Sequence, residues 1–189
     1  MYSMNKLKKS EAYSILHYTG YICILLGILM FVPILVALIY HETSYILPFV
    51  YSAIISIVFG FLLYYFFKNT REMSLKVAMI FATVIWLVGS AIAALPFYFS
   101  GDLSYLNGYF EAMSGFTTTG FTMYSNLDVV SYTMNFWRAL MQWVGGIGII
   151  VMGLVILSSP SVNIMRMYSA EGRDERLVPS IKHTSRIIL

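Results

Sequence analysis

Gly115-Phe116-Thr117-Thr118-Thr119-Gly120-Phe121-Thr122 lies between two long apolar segments, directly after a stretch with room for only a short helix. A run of hydroxyl residues ending in glycine is poorly suited to packing against lipid. It is well suited to turning backbone carbonyls toward a cation. Irregular backbone at membrane depth is tolerated only where it is buried in protein or lines a water-filled cavity, and a ring of carbonyls can replace an ion's water shell. Gly120 suits such a turn because a residue without Cβ moves freely into positive φ. The duller reading of Thr117–Thr119 is a hydroxyl-rich outer loop, and the surrounding chain must decide between the two.

Working outward, composition sets the class. The 189 residues are 59% hydrophobic and 11% charged, with a mean hydropathy of +0.75. Soluble domains carry about 25% charged residues, so the pattern is that of an integral membrane protein. Four segments are long enough to span about 30 Å of hydrocarbon: 12–40, 46–67, 75–99 and 132–157. Pro33 removes a backbone donor inside the first and is expected to kink it. That segment is longer than the apolar core of a signal peptide, and no small-residue cleavage site clearly follows it. Cys23, the single cysteine, sits in an apolar run and reads as a small buried residue.

Charge orients the spans. Lys6, Lys8 and Lys9 precede the first; Lys68, Arg71 and Lys76 separate the second and third; Arg166, Arg173, Arg176, Lys182 and Arg186 follow the fourth. The loop after the first span and the stretch 100–135 contain no Lys or Arg. The positive-inside rule therefore places both termini in the cytoplasm, and the Thr-rich loop enters from outside.

The segment 102–131 is too polar to span and too apolar for an ordinary loop. Residues 107–114 suit two to three helical turns, with Ser104 or Asn107 as N-cap. So short a helix is expected to be re-entrant, with its C-terminal end, about half a negative charge, directed at Thr117–Gly120. The fold class is all-α: four transmembrane helices, one re-entrant pore helix and a filter loop.

Two motifs carry a family resemblance. Ala112-Met113-Ser114-Gly115-Phe116-Thr117-Thr118-Thr119-Gly120 is followed by Trp137-Arg138-Ala139-Leu140-Met141-Gln142-Trp143-Val144-Gly145-Gly146-Ile147-Gly148. Together they resemble the Trk/Ktr/HKT superfamily of potassium transporters, and its TrkH-like membrane subunit most. That resemblance implies four span–pore–span units around one pore, of which this chain carries one. It implies a division into a two-span hairpin (1–70), a first span–pore–span unit (71–160) and a cytoplasmic linker toward a second pore unit (161–189). It implies potassium as substrate, with carbonyls of Thr118, Thr119, Gly120 and Phe121 facing the ion, and no bound cofactor. It also implies a dimer of the full-length membrane protein, associated with cytoplasmic nucleotide-binding regulatory subunits. The stretch 166–186 is on the side for such contacts, and reads equally as a solvated linker.

The remaining features have competing readings. Gly145, Gly146 and Gly148 are not a nucleotide loop, since they lie within a span; small residues there let helices approach. Arg138, deep in the fourth segment, either snorkels outward or pairs with Glu111 or Asp128. The pair with Glu111 is the expectation, since both lie at similar depth. Trp137, Trp143, Tyr105 and Tyr109 read as interfacial anchors. His17, His41 and His183 are scattered singly. No nucleophile–base pair or metal-ligand set appears, and no nucleic-acid patch, so the lipid bilayer is the immediate partner and an enzyme is not expected. Three functions compete: potassium uptake; a sodium-permeable or sodium-coupled relative, which Gly120 disfavours because relatives that conduct sodium place serine there; and a membrane scaffold without transport activity.

Overall fold

The computed structural model of the chain describes residues 9–68 and 74–157. Two compact units divide the sequence, 1–146 and 147–189. The first holds nearly all of the described residues; the second contributes only residues 147–157, the last part of the final helix. The linker 161–189 lies outside the described residues.

Among the described residues all regular structure is helical: α1 (Lys9–Leu29), α2 (Phe31–Ile39), α3 (Ile46–Phe66), α4 (Leu75–Ala93), α5 (Leu95–Ser100), α6 (Tyr105–Phe116) and α7 (Tyr132–Leu157), with 3-10 turns at Thr43–Tyr45 and Leu127–Val129. Four stretches are long and apolar enough to cross a membrane: Lys9–Ile39, Thr43–Phe66, Lys76–Ser100 and Tyr132–Leu154. The sequence-based segments match these to within a few residues.

Two spans are broken, each by a proline. The first span breaks at Met30, between α1 and α2, because Pro33 has no N–H for the Leu29 carbonyl. The third breaks at Ala94, between α4 and α5, because Pro96 likewise cannot donate to the Ile92 carbonyl four residues before it.

α1 and α3 run antiparallel along a seam of small residues. A Cβ on Gly20 would lie 2.6 Å from the Gly60 carbonyl oxygen, and one on Gly60 2.6 Å from that of Gly20. One face carries Gly20, Cys23 and Gly27; the other carries Ala53, Ser56 and Gly60, spaced three and four residues apart. Ser56 donates to the Cys23 carbonyl at 2.6 Å across it. Lipid tails are as apolar as any side chain, so close backbone approach rather than hydrophobicity holds such a contact.

The core joins these helices to the rest through Met30, Phe49, Phe97, Ala112, Met134, Trp137 and Met141. Trp137 is fully buried, which corrects its reading as an interfacial anchor. Its ring meets Phe49 edge-on at 5.7 Å, and its Nε1–H donates to the Ala93 carbonyl at 3.1 Å. That bond lies beside the break in the third span, where the helix ladder is interrupted. Trp143 is largely exposed, and Tyr105 is partly so, donating its hydroxyl to the Ala91 carbonyl.

Candidate ion site

The short helix α6 spans twelve residues, about 18 Å at 1.5 Å per residue. Ser104 is its N-cap, its hydroxyl accepting from the Asn107 N–H at 3.4 Å. The helix runs beyond the expected 107–114 at both ends. Gly108, Glu111, Ala112 and Gly115 form its buried stripe, at i, i+3, i+4 and i+7. Gly108 lies against Phe97 and the Ala94 carbonyl, and Gly115 against Met141.

The helix ends in a Schellman motif. The Thr119 N–H donates to the Ser114 carbonyl at 3.0 Å, and the Thr118 N–H to that of Gly115 at 2.9 Å. The left-handed residue of such a motif is usually glycine. Here it is Thr118, at φ 56°, an uncommon place for a β-branched side chain. Gly120 follows at φ 82°, so the chain reverses hand twice within three residues. The Thr117 hydroxyl binds the Met113 carbonyl at 2.8 Å and lies 2.8 Å from that of Thr119, so both are spent inside the turn.

Among the described residues no hydrogen bond ends on the carbonyls of Thr118, Thr119 or Gly120, and all three residues are exposed. Phe121 differs. The residue is 69% exposed, but its carbonyl already accepts from the Ser114 hydroxyl at 2.7 Å.

Glu111 is 2% exposed and anchors the far side of the loop. Its carboxylate accepts from the Thr122 hydroxyl at 3.0 and 3.1 Å and from the Met123 N–H at 2.8 Å. It is also brought together with Arg138, whose Nε donates to Oε1. Asp128, the competing partner, sits in the exposed turn Leu127–Val129, where its N–H donates to Asn126.

Two glycines of α7 bring the loop close to that helix. A Cβ on Gly145 would stand 2.0 Å from the Phe116 carbonyl oxygen, so α7 meets the last residue of α6 backbone to backbone. One on Gly146 would lie 3.7 Å from the Thr118 methyl. Gly148 is half-buried and belongs to the second unit.

A second carboxylate fixes α7 from outside the spans. Glu42, in the loop after α2, accepts from the Tyr132 N–H at 2.9 Å with Oε1 and, with Oε2, from Thr133 N–H at 2.9 Å and Thr133 Oγ1 at 2.6 Å. Burial pushes its carboxyl up, but these donated bonds outweigh burial and hold it below its usual range. Nearby, Asp102 accepts from the hydroxyls of Tyr45 and Tyr124, both at 3.3 Å. Half-burial raises its carboxyl above the usual value, and the bonds from Tyr45, Tyr124 and Ser100 offset this only in part. No local pattern marks Glu42 or Asp102. Glu42 acts on a helix ninety residues away, and the one available signal was a lone acid in a loop without bases.

Four helices long and apolar enough to cross a bilayer, with a short helix and an irregular loop between the last two, define a multi-pass membrane protein. Residues 46–189 match the TrkH family, described as a cation transport protein. The chain is 35% identical over 187 residues to an uncharacterized cation transporter of Methanocaldococcus jannaschii, covering 97% of this chain and 39% of the relative. It is 32% identical over 176 residues to the Trk system potassium uptake protein TrkH of Escherichia coli K12, covering 89% of this chain and 36% of that protein. The crystal structure of the potassium transporter TrkH from Vibrio parahaemolyticus superimposes with a TM-score of 0.70 at 29% identity, over 84% of this chain and 36% of that one. The chain belongs to the TrkH family, a family of cation transporters and not of enzymes. It spans under two fifths of the length of these relatives.

Proposed function

We propose that this chain forms the first pore unit of a potassium-uptake subunit, with potassium as its substrate. The observation that carries the reading is the row of carbonyls of Thr118, Thr119 and Gly120 at the C-terminal end of α6, which accept no hydrogen bond among the described residues. Phe121 completes the set through the second lone pair of its carbonyl, since a C=O has two. Helix-end charge favours a cation at this place. The relatives named as potassium uptake proteins support the choice of ion. One unit supplies a quarter of the carbonyl ring, and three further units of the full-length protein supply the rest.

On this reading residues 1–70 are a supporting hairpin, 71–160 the pore unit and 161–189 a linker on the cytoplasmic side. The protein sits in the cell's plasma or inner membrane with both termini inside, as the distribution of Lys and Arg supports. Full-length subunits pair as dimers and dock cytoplasmic nucleotide-binding regulatory subunits.

The test is Gly120→Ser in the full-length protein, scored as the ratio of potassium to sodium uptake in a host lacking its own potassium transport. A Cβ at Gly120 would meet nothing within 4 Å, so the cost is conformational, not steric. A left-handed non-glycine residue costs roughly 1–2 kcal/mol; with that cost set against the carbonyl geometry that holds potassium and not against a relaxed loop that admits sodium, the ratio should fall roughly ten-fold. An unchanged ratio removes this loop from the ion path.

A further inference from the structure

The first helix pair of the molecule carries a device that the pore reading leaves without a role. α2 ends in the same motif as α6: the Glu42 N–H donates to the Ala37 carbonyl at 2.8 Å and the His41 N–H to that of Leu38 at 3.4 Å. The left-handed residue is again not glycine but His41, at φ 57°. Strained residues persist where the surrounding structure over-determines them, and they cluster at functional positions. The turn aims the next residue, Glu42, at the first two residues of α7.

α7 has a local cap already. The Ser131 hydroxyl accepts from the Met134 N–H at 3.1 Å and its carbonyl from the Asn135 N–H at 3.0 Å. Ser131 reaches N3 and N4 of the first turn but leaves the donors of Tyr132 and Thr133, and Glu42 takes both. Tyr40 stacks on Tyr132 at 4.3 Å beside it. The start of α7 is thus fixed along its own axis by the segment that joins α2 to α3. Arg138 is five residues on, about 7.5 Å down the helix, and holds Glu111, which holds the backbone of Met123 two residues past Phe121.

We propose that Glu42 is a positioning residue for cation selection: by capping α7 from the outer loop of the first hairpin it sets the height at which the filter loop is held. This rests on the reading of Thr118–Phe121 as the filter. Glu42 touches no ion; it acts through α7, Arg138 and Glu111. Its partners are neutral donors, and the titratable groups around it include Tyr40, His41, Tyr45, Asp102, Asp128 and Tyr132.

The experiment measures, in the full-length protein, the potassium-to-sodium uptake ratio and the half-saturating potassium concentration, neither of which depends on how much protein reaches the membrane. Glu42→Gln keeps one acceptor and turns the other toward an N–H as a donor. It is expected to lower the ratio severalfold and raise the half-saturating concentration. Membrane abundance that falls while both quantities stay at wild-type values makes Glu42 a structural cap only and overturns the inference. Gly120→Ser runs in parallel. If it changes the ratio and Glu42→Gln does not, the positioning role fails and the filter reading stands; if Gly120→Ser changes nothing, the filter reading fails and takes this inference with it. If Glu42→Gln does not accumulate, Thr133→Val, which deletes one of the three donors to the carboxylate, replaces it. A lower ratio and a higher half-saturating concentration in that variant support the positioning role, and wild-type values of both overturn it.

Discussion

The C-terminal ends of α2 and α6 are built alike and used oppositely. Each closes with a Schellman motif whose left-handed residue carries a side chain, His41 in one and Thr118 in the other. After His41 the chain delivers a carboxylate that is saturated by three donors on α7. After Thr118 it delivers three carbonyls with no partner among the described residues, while everything around them is bound: Ser114 to the Phe121 carbonyl, Glu111 to Thr122 and Met123. The same backbone device makes an anchor when its successor is satisfied and a candidate ion site when it is not.

The comparison breaks most severely at Gly145. A methyl there would stand 2.0 Å from the Phe116 carbonyl, which is backbone and cannot turn aside. Gly145→Ala should exceed the about 1–3 kcal/mol usual for overpacking and abolish uptake. Gly153→Ala on the same helix, with nothing within 4 Å of its Cβ, should leave uptake near wild type. Equal uptake in the two variants would mean that α6 and α7 do not meet as described.

The next effect concerns the pair that holds the loop beyond Thr118. Removing one partner of a buried ion pair costs about 3–5 kcal/mol because the other is left uncompensated. Glu111→Gln and Arg138→Gln should each reduce folded yield and uptake strongly, and the double variant should lose less than the two losses summed. A double-mutant cycle on thermal midpoint and uptake measures this; strict additivity would show two independent residues.

The smallest effect sharpens the comparison most. Glycine at a left-handed position relieves roughly 1–2 kcal/mol of strain and returns about 0.5–1 kcal/mol as chain entropy. His41→Gly and Thr118→Gly should therefore change the thermal midpoint little and in the same direction. They should differ in ion discrimination, with Thr118→Gly lowering the potassium-to-sodium ratio and His41→Gly leaving it nearer wild type, because Glu42 is retained by its three bonds. Identical ratios in both variants would show that the two turns are interchangeable.

The elements and their chemistry were legible in the amino-acid order alone. Apolar runs of spanning length, a proline in the first and a hydroxyl-rich turn after a short amphipathic stretch are all local signals, and each became structure with little help from distant residues. Glu111 and Arg138 were legible as a pair because a charge in an apolar segment needs a partner and few are available. Whatever depends on residues far apart in the chain had to wait for the folded arrangement. Nothing near Glu42 marks it as the cap of a helix that starts at Tyr132, because capping by a remote carboxylate requires the two ends to meet in space. Trp137 resembles an interfacial residue until α4 presents the Ala93 carbonyl to its N–H. The Gly20–Gly60 seam has meaning only once α1 and α3 lie antiparallel with that register. Thr118 in a left-handed conformation contradicts its own propensity, and it holds because the carbonyls of α6, with Gly146 beside its methyl, leave that as the conformation that fits.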